Sequence, residues 1–338
     1  MYQERLRLYK QLEQIRSSKV IAYITGDRPG METQIHPEIV DLFVDHLDSF
    51  KCPIPKISLY LYSRGGATLG AWNIVNLIRM FCDDFEVIIP SKAHSAATLI
   101  SIGADRIIMT KQATLSPIDP SINGPYNPPA QGMAPGAKLP VSVEDVSKYF
   151  DLAKQELGNK ADLTNIFLHL ATQVHPLALG NVTRSRSQIQ MLAEKMLKHS
   201  ITDDEKIKKA ISFLCSDSGS HDYTINRREA GDSLNLPIEK PNDKLYDLIK
   251  RIHIDIGAEL KLREPFNPTL MLSAGSASHA YDEPRSLLES ISGGSHRFVS
   301  RGEITRQSPP PGSIPPGMVI PFIVQDNRMF EGWVYVKP

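Results

Sequence analysis

Between Lys19 and Met109 the chain alternates short β-rich runs with longer stretches of helical spacing, and no other feature restricts the fold as strongly. Strands are expected at 20–25, 57–62, 87–89 and 106–109, with helices near 36–48, 67–81 and 95–103. Such alternation argues for an α/β fold, a parallel sheet with covering helices, because parallel neighbours need a crossover element that packs back on the sheet. The functional loops of such sheets gather beyond the carboxyl ends of the strands.

Residues 121–140 are crowded with Pro, Gly, Asn and Ala and are expected as an irregular surface loop or flap. Helical spacing resumes at 143–157, 163–174, 187–199 and 203–214, then near 227–233 and over 242–262. The tail from 293 holds Pro309-Pro310-Pro311, Pro315-Pro316 and β-rich runs at 318–324 and 333–336, which predicts a proline-rich linker and a small C-terminal β-rich appendage. The expected organisation is an N-terminal helix (1–18), a main domain (19–262) and a C-terminal extension (263–338).

With 338 residues, 41% of them hydrophobic, the chain can bury a substantial core. Lys and Arg total 38, as do Asp and Glu, so the net charge calls for neither nucleic acid nor an anionic membrane as partner. No run approaches the roughly 18 apolar residues of a membrane span, and residues 1–16 lack the apolar segment of a secretory signal. The cysteines, Cys52, Cys82 and Cys215, are too scattered for a disulfide framework or a metal site, which fits a cytoplasmic location. The histidines show no HExxH or paired-ligand spacing, and no metal or other cofactor is expected.

Two segments carry chemistry. In Ser63-Arg64-Gly65-Gly66 a strand runs into a glycine pair and then a helix, so the Gly66 N–H is placed to bind an anion or a developing oxyanion. The spacing is not that of a P-loop, which also needs a Lys after its last Gly. In Ser91-Lys92-Ala93-His94-Ser95-Ala96-Ala97-Thr98 a serine stands at a helix start, where its ordinary role is an N-cap. Together the segments offer an oxyanion N–H and a nucleophile at neighbouring strand ends.

With these residues in view, the sequence resembles the serine dehydrogenase proteinase family, a branch of the Clp-type and signal-peptide-peptidase-A-type serine peptidases with the ClpP/crotonase-type fold. The resemblance spans roughly residues 18–240. It is carried by Val20-Ile21-Ala22-Tyr23-Ile24-Thr25-Gly26-Asp27-Arg28, Ser63-Arg64-Gly65-Gly66, Ala93-His94-Ser95-Ala96-Ala97, Ser116-Pro117-Ile118-Asp119-Pro120 and His221-Asp222-Tyr223-Thr224-Ile225. It implies a peptidase with Ser95 as nucleophile and the Gly66 and Ala96 N–H groups as oxyanion hole. Gly65 and Asp119 are then expected to border the substrate. The stretch after the nucleophile that carries the Clp-type histidine, 113–120 here, contains none, and the lysine of the related branches has no clear counterpart among Lys138 and Lys148. His221 is therefore expected as the base, with Asp222 beside it.

The resemblance also implies a protein or peptide substrate, assembly into a homo-oligomer and the option of an unfoldase or regulatory partner. Two other functions stay open. One is a catalytically impaired Clp-like scaffold, the other an acyl-CoA enzyme of the crotonase type, which needs no serine at 95. The proline-rich tail is expected to be able to gate the site.

Overall fold

The computed structural model describes residues 2–51, 53–118, 121–122, 124–130, 136–139, 141–158, 162–217, 220, 222–272, 276–309 and 322–336. In chain order the first half runs α1 (Tyr2–Arg16), β1 (Lys19–Thr25), α2 (Ile39–Asp48), β2 (Lys56–Tyr62), α3 (Thr68–Phe81), β3 (Asp84–Ile89), β4 (Lys92–Ala93), α4 (Ala96–Ile102), β5 (Arg106–Met109), β6 (Thr114–Leu115), β7 (Ser121–Ile122) and β8 (Val141–Ser142). The second half holds α5 (Val143–Leu157), α6 (Leu163–Gln173), α7 (Pro176–Leu197), α8 (Asp204–Ser212), β9 (Ile225–Asn226), α9 (Arg227–Asp232), β10 (Ile238–Glu239), α10 (Asp243–Glu259), α11 (Pro268–Met271), β11 (Ser278–Ser290), β12 (Gly294–Gln307) and β13 (Ile323–Val336).

An eight-stranded sheet in the order β10-β5-β3-β2-β1-β11-β12-β13 divides the molecule. From β10 to β1 every neighbour is parallel, as the β-α alternation requires. The period of two in a strand sends Ile21, Tyr23, Leu59, Leu61, Val87 and Ile89 to one face, where they meet α2, α3, α4 and α7. Val20, Ala22, Ile24, Tyr60, Tyr62 and Ile88 face the other way onto α1 and α10. Both faces are thus covered, and the strands read as continuous apolar runs.

The expected C-terminal β-rich segment is present, but it is hydrogen-bonded into the main sheet instead of hanging from a linker. β11 runs antiparallel to β1, from Ile21 opposite Ser290 to Thr25 opposite Ser286. β12 and β13 follow, paired from Ser295 opposite Val336 to Gln307 opposite Ile323. The proline-rich segment therefore lies between β12 and β13, inside the extension, and its residues 310–321 are outside the described ones. β11 begins well before the tail expected from sequence, because β1 would otherwise leave an open edge of unpaired backbone groups.

The N-terminal helix locks onto this extension. Arg5, fully buried, donates to Glu289 of β11 at 2.9 and 2.6 Å and to Glu259 of α10 at 2.7 Å, and it also pairs with Asp255. The Tyr9 hydroxyl donates to the same Glu289 at 2.8 Å. Elsewhere, β7 and β8 pair at the stem of the 121–140 loop. Cys82 and Cys215 are buried and form no disulfide among the described residues, and Cys52 lies outside them. Among the described residues no helix is long and apolar enough to cross a membrane.

Candidate functional site

The carboxyl ends of β2 and β3 deliver the two segments singled out above to one place. After β3 the chain forms β4, which lies parallel to β6 in a small sheet of order β4-β6-β9. Ser63, buried at the end of β2, joins this sheet to the main one: its N–H donates to Lys92 O at 3.1 Å and its carbonyl accepts from His94 N at 3.0 Å. The Ser63 hydroxyl accepts from Thr25 Oγ1 at 2.7 Å and from Gly65 N at 2.9 Å, which fixes the start of the glycine turn.

Both glycines are required by their surroundings. Gly65 has φ +109°, and a Cβ there would stand 2.7 Å from Ser95 Cβ. Gly66 has φ +144°, and a Cβ there would stand 2.4 Å from both N and O of Ile35. Neither an L side chain nor its volume is accommodated. Ile35 clamps the turn from outside, donating to Gly65 O and accepting from Ala67 N, each at 2.8 Å. The Gly66 N–H makes no hydrogen bond among the described residues.

Ser95 occupies the N-cap position of α4 but does not cap. Its backbone sits at φ 51°, ψ −118°, and its side chain bonds to no N–H of the helix. A non-glycine residue held there costs about 1–3 kcal/mol and persists only when neighbours enforce it. The enforcing contacts come from β6 and α4. Ser95 N donates to Ser116 Oγ at 2.8 Å, and Ser116 N donates to Thr98 Oγ1 at 3.1 Å. Thr98 Oγ1 in turn shares its hydrogen between the Ala93 and Ser116 carbonyls, at 2.8 and 2.9 Å. The result is a sharp strand-to-helix turn in which the half-buried serine hydroxyl makes no hydrogen bond among the described residues, a backbone form that can expose a nucleophile. Ala96, the first residue of α4, presents an N–H that the helix cannot satisfy internally.

Gly65, Gly66, Ser95 and Ala96 are thus brought together, while the remaining expected residues stand differently. His221 and Asp119 lie outside the described residues. Asp222 is exposed in the turn before β9, its N–H donating to Ser220 Oγ at 3.2 Å. β9 is antiparallel to β6, with Ile225 opposite Leu115, so the chain preceding it runs alongside the β6 end from which Ser116 reaches Ser95. Lys138 is exposed, and Lys148 is solvated with Asp151 at 3.6 Å. His94 Nε2 is engaged with Thr114 Oγ1 at 2.8 Å. Lys92 is held by Asp27 at 2.7 Å. Burial alone would raise the Asp27 carboxyl, but bonds from Lys92 and the Tyr62 hydroxyl hold it below its ordinary value. Among the described residues no imidazole or amine is hydrogen-bonded to Ser95 Oγ.

Sequence reading missed the residues that hold this corner, Ser63, Thr98 and Ser116. Their signal is slight: small hydroxyl residues immediately after a strand or in the first turn of a helix, bonding nearby backbone.

The family described as ClpP-like SDH-type serine proteinase matches residues 48–148, a stretch containing the glycine turn, Ser95 and Ser116. The chain is an α/β protein whose residues 48–148 resemble the ClpP-like SDH-type serine proteinases. Two uncharacterized proteins of Methanocaldococcus jannaschii are similar. MJ0137 is 27% identical over 196 residues, covering 57% of this chain and 57% of its own length. MJ1495 is 26% identical over 268 residues, covering 76% of this chain and 79% of its own. The chain therefore spans little more than half the length of the first. Among solved structures, two mutants of the 1510-N membrane-bound stomatin-specific protease align with a TM-score of 0.37 each. One, in complex with a substrate peptide, is 15% identical and covers 69% of this chain and 80% of that one; the other is 14% identical and covers 68% and 85%.

Proposed function

We propose that this chain is a serine endopeptidase in which Ser95 carries the acyl-enzyme. The observation behind this reading is the serine's strained, uncapped position at the start of α4, pressed so close to Gly65 that a Cβ there would displace it. Ser95 Oγ attacks the peptide carbonyl, and its proton passes to a base, for which His221, with Asp222 beside it, is the first candidate. The carbonyl oxygen gains charge between the Gly66 and Ala96 N–H groups, and the base returns the proton to the leaving amine before water releases the acyl group. Gly65 and Asp119 border the substrate, which is held by its main chain as an added strand. A crotonase-type acyl-CoA reaction would use the same N–H pair but gives no reason for strain at residue 95.

A fluorophosphonate probe with mass-spectrometric mapping tests the proposal. Labelling at Ser95 that Ser95→Ala removes supports it, and loss of labelling in a folded His221→Ala protein assigns the base. The second reading, a Clp-like scaffold without turnover, draws on the lack of a basic partner for Ser95 Oγ among the described residues. Failure of a folded protein to label at Ser95 would establish it. Self-association is also part of the proposal, because α6 buries none of its side chains and leaves Leu163, Phe167 and Leu168 exposed. Light scattering on the full chain would show a monomer if that is wrong.

A further inference from the structure

A cleft of about 450 Å³ opens beside the glycine turn, between the segment around Ile35 and the C-terminal strands. Ala67, the residue after Gly66, lines one end. Two extended residues span at most ~7 Å, so the cleft begins only a few substrate residues from Ser95. Its apolar walls are Ile39, Phe298 and Trp333, the two rings meeting edge-on at 5.6 Å.

The charges around it are unbalanced. The Arg285 guanidinium, 5.7 Å above the Phe298 ring, uses four of its five N–H groups, donating to the carbonyls of Met31 and Glu32 and to Ser300 Oγ and pairing with Glu331, which also holds Arg328. Glu32 and Glu38 have no Lys or Arg partner among the described residues; Glu32 accepts the Gly30 N–H at 3.1 Å and Glu38 lies 3.6 Å from His36. At the inner wall stands Tyr23, only 1% exposed, its ring packed edge-on against Phe43. Its hydroxyl makes no hydrogen bond among the described residues. Burial first, and the Glu38 carboxylate second, push that phenol above its ordinary pKa, so it stays a neutral donor and acceptor.

Two carboxylates in no Lys or Arg ion pair among the described residues, a phenol oxygen free to accept and aromatic walls together suit a cation on an aliphatic stem. The stem lies along the rings and the charged head reaches the acidic groups. We propose that this cleft is a specificity subsite for a lysine or arginine side chain of the substrate, an inference that rests on the peptidase reading above. A free cation is a poorer fit, because the cleft is continuous with the turn that would bind the scissile carbonyl.

The experiment uses the purified full chain and internally quenched peptides that place either lysine or the uncharged norleucine at each position near the cleaved bond. At one fixed position lysine should be preferred by roughly tenfold in kcat/KM, and the preference should fall to near unity in Glu32→Gln/Glu38→Gln. Tyr23→Phe, which keeps the buried ring, should reduce the preference by about threefold. Fluorophosphonate labelling separates the two ways of failing. If Ser95 labels but lysine and norleucine are cut alike, or the preference survives in the double variant, the subsite is overturned and the peptidase stands. If Ser95 of the folded wild type does not label, both fall.

Discussion

The parallel half of the main sheet, β10 to β1, buries apolar side chains on both faces around one buried carboxylate, Glu86 of β3, which Arg16 and Lys56 neutralise, whereas the antiparallel half, β11 to β13, brings in two. Glu289 is wholly buried and Glu283 is 4% exposed, each matched by a cation from elsewhere: Arg5 of α1 for the first, Arg28 and Lys261 for the second. The parallel half finds the partners of its buried charge within the first ninety residues and carries the Ser95 corner. The charged half depends on distant partners, and truncating one member of such a pair leaves an uncompensated buried charge. The geometry of the Ser95 corner and global stability should therefore be separable by mutation.

The sharpest break is expected at the corner itself. Gly65→Ala should slow labelling at Ser95 by ~100-fold or more, since the new Cβ displaces the Ser95 side chain from its place beside the Gly66 and Ala96 N–H groups. Its far-ultraviolet circular dichroism should remain that of the wild type. In the other half Arg5→Ala should lower the unfolding free energy in urea by about 3–5 kcal/mol, without changing fluorophosphonate labelling at Ser95.

Acid should find the seam between the halves. His46 of α2 bonds His296 of β12 at 2.9 Å and Ser290 of β11 at 2.7 Å. Burial, with His296 alongside, takes the His46 pKa from 6.5 down to about 3. Burial also lowers His296, against a small opposing effect of Asp45. The unfolded chain takes up the proton first, so this stability is complete above pH 6.5 and drains as the pH falls toward 3. The loss at pH 5 should be about 2 kcal/mol from His46 alone, and His46→Gln should flatten the slope of Tm against pH. The smallest effect belongs to Lys148→Ala, an exposed pair whose loss should change stability by about 0.5 kcal/mol or less and leave labelling intact. A collapse of labelling would make that lysine the base.

The same contrast explains what sequence could show. The strands of the parallel half are runs such as Val20-Ile21-Ala22-Tyr23-Ile24, in which two buried faces leave no polar alternation to confuse the pattern. β11 reads Ser278-His279-Ala280-Tyr281-Asp282-Glu283-Pro284-Arg285 before its apolar residues begin, with a proline at the bulge between 284 and 286. Its acidic side chains look solvated until Arg5 and Arg28 are seen beside them, and those pairings cross the length of the chain. At the site, the glycine turn and Ser95 were legible because each stands where a strand meets a helix. The hydroxyl bonds of Ser63, Thr98 and Ser116 were not, because they depend on the packing of β4 against β6.

The bond between Arg5 and Glu289 joins residues 284 positions apart. At a synthesis rate of ~5–20 residues per second, Arg5 waits about 15–60 s on the ribosome for its counter-charge, and β1 waits nearly as long for its antiparallel neighbour. Over that interval the nascent parallel half presents a bare strand edge ready to pair with any extended segment nearby. The last strands made are thus the ones that close the sheet, and a chain released before residue 290 would carry the whole Ser95 corner on a molecule unable to protect its own edge.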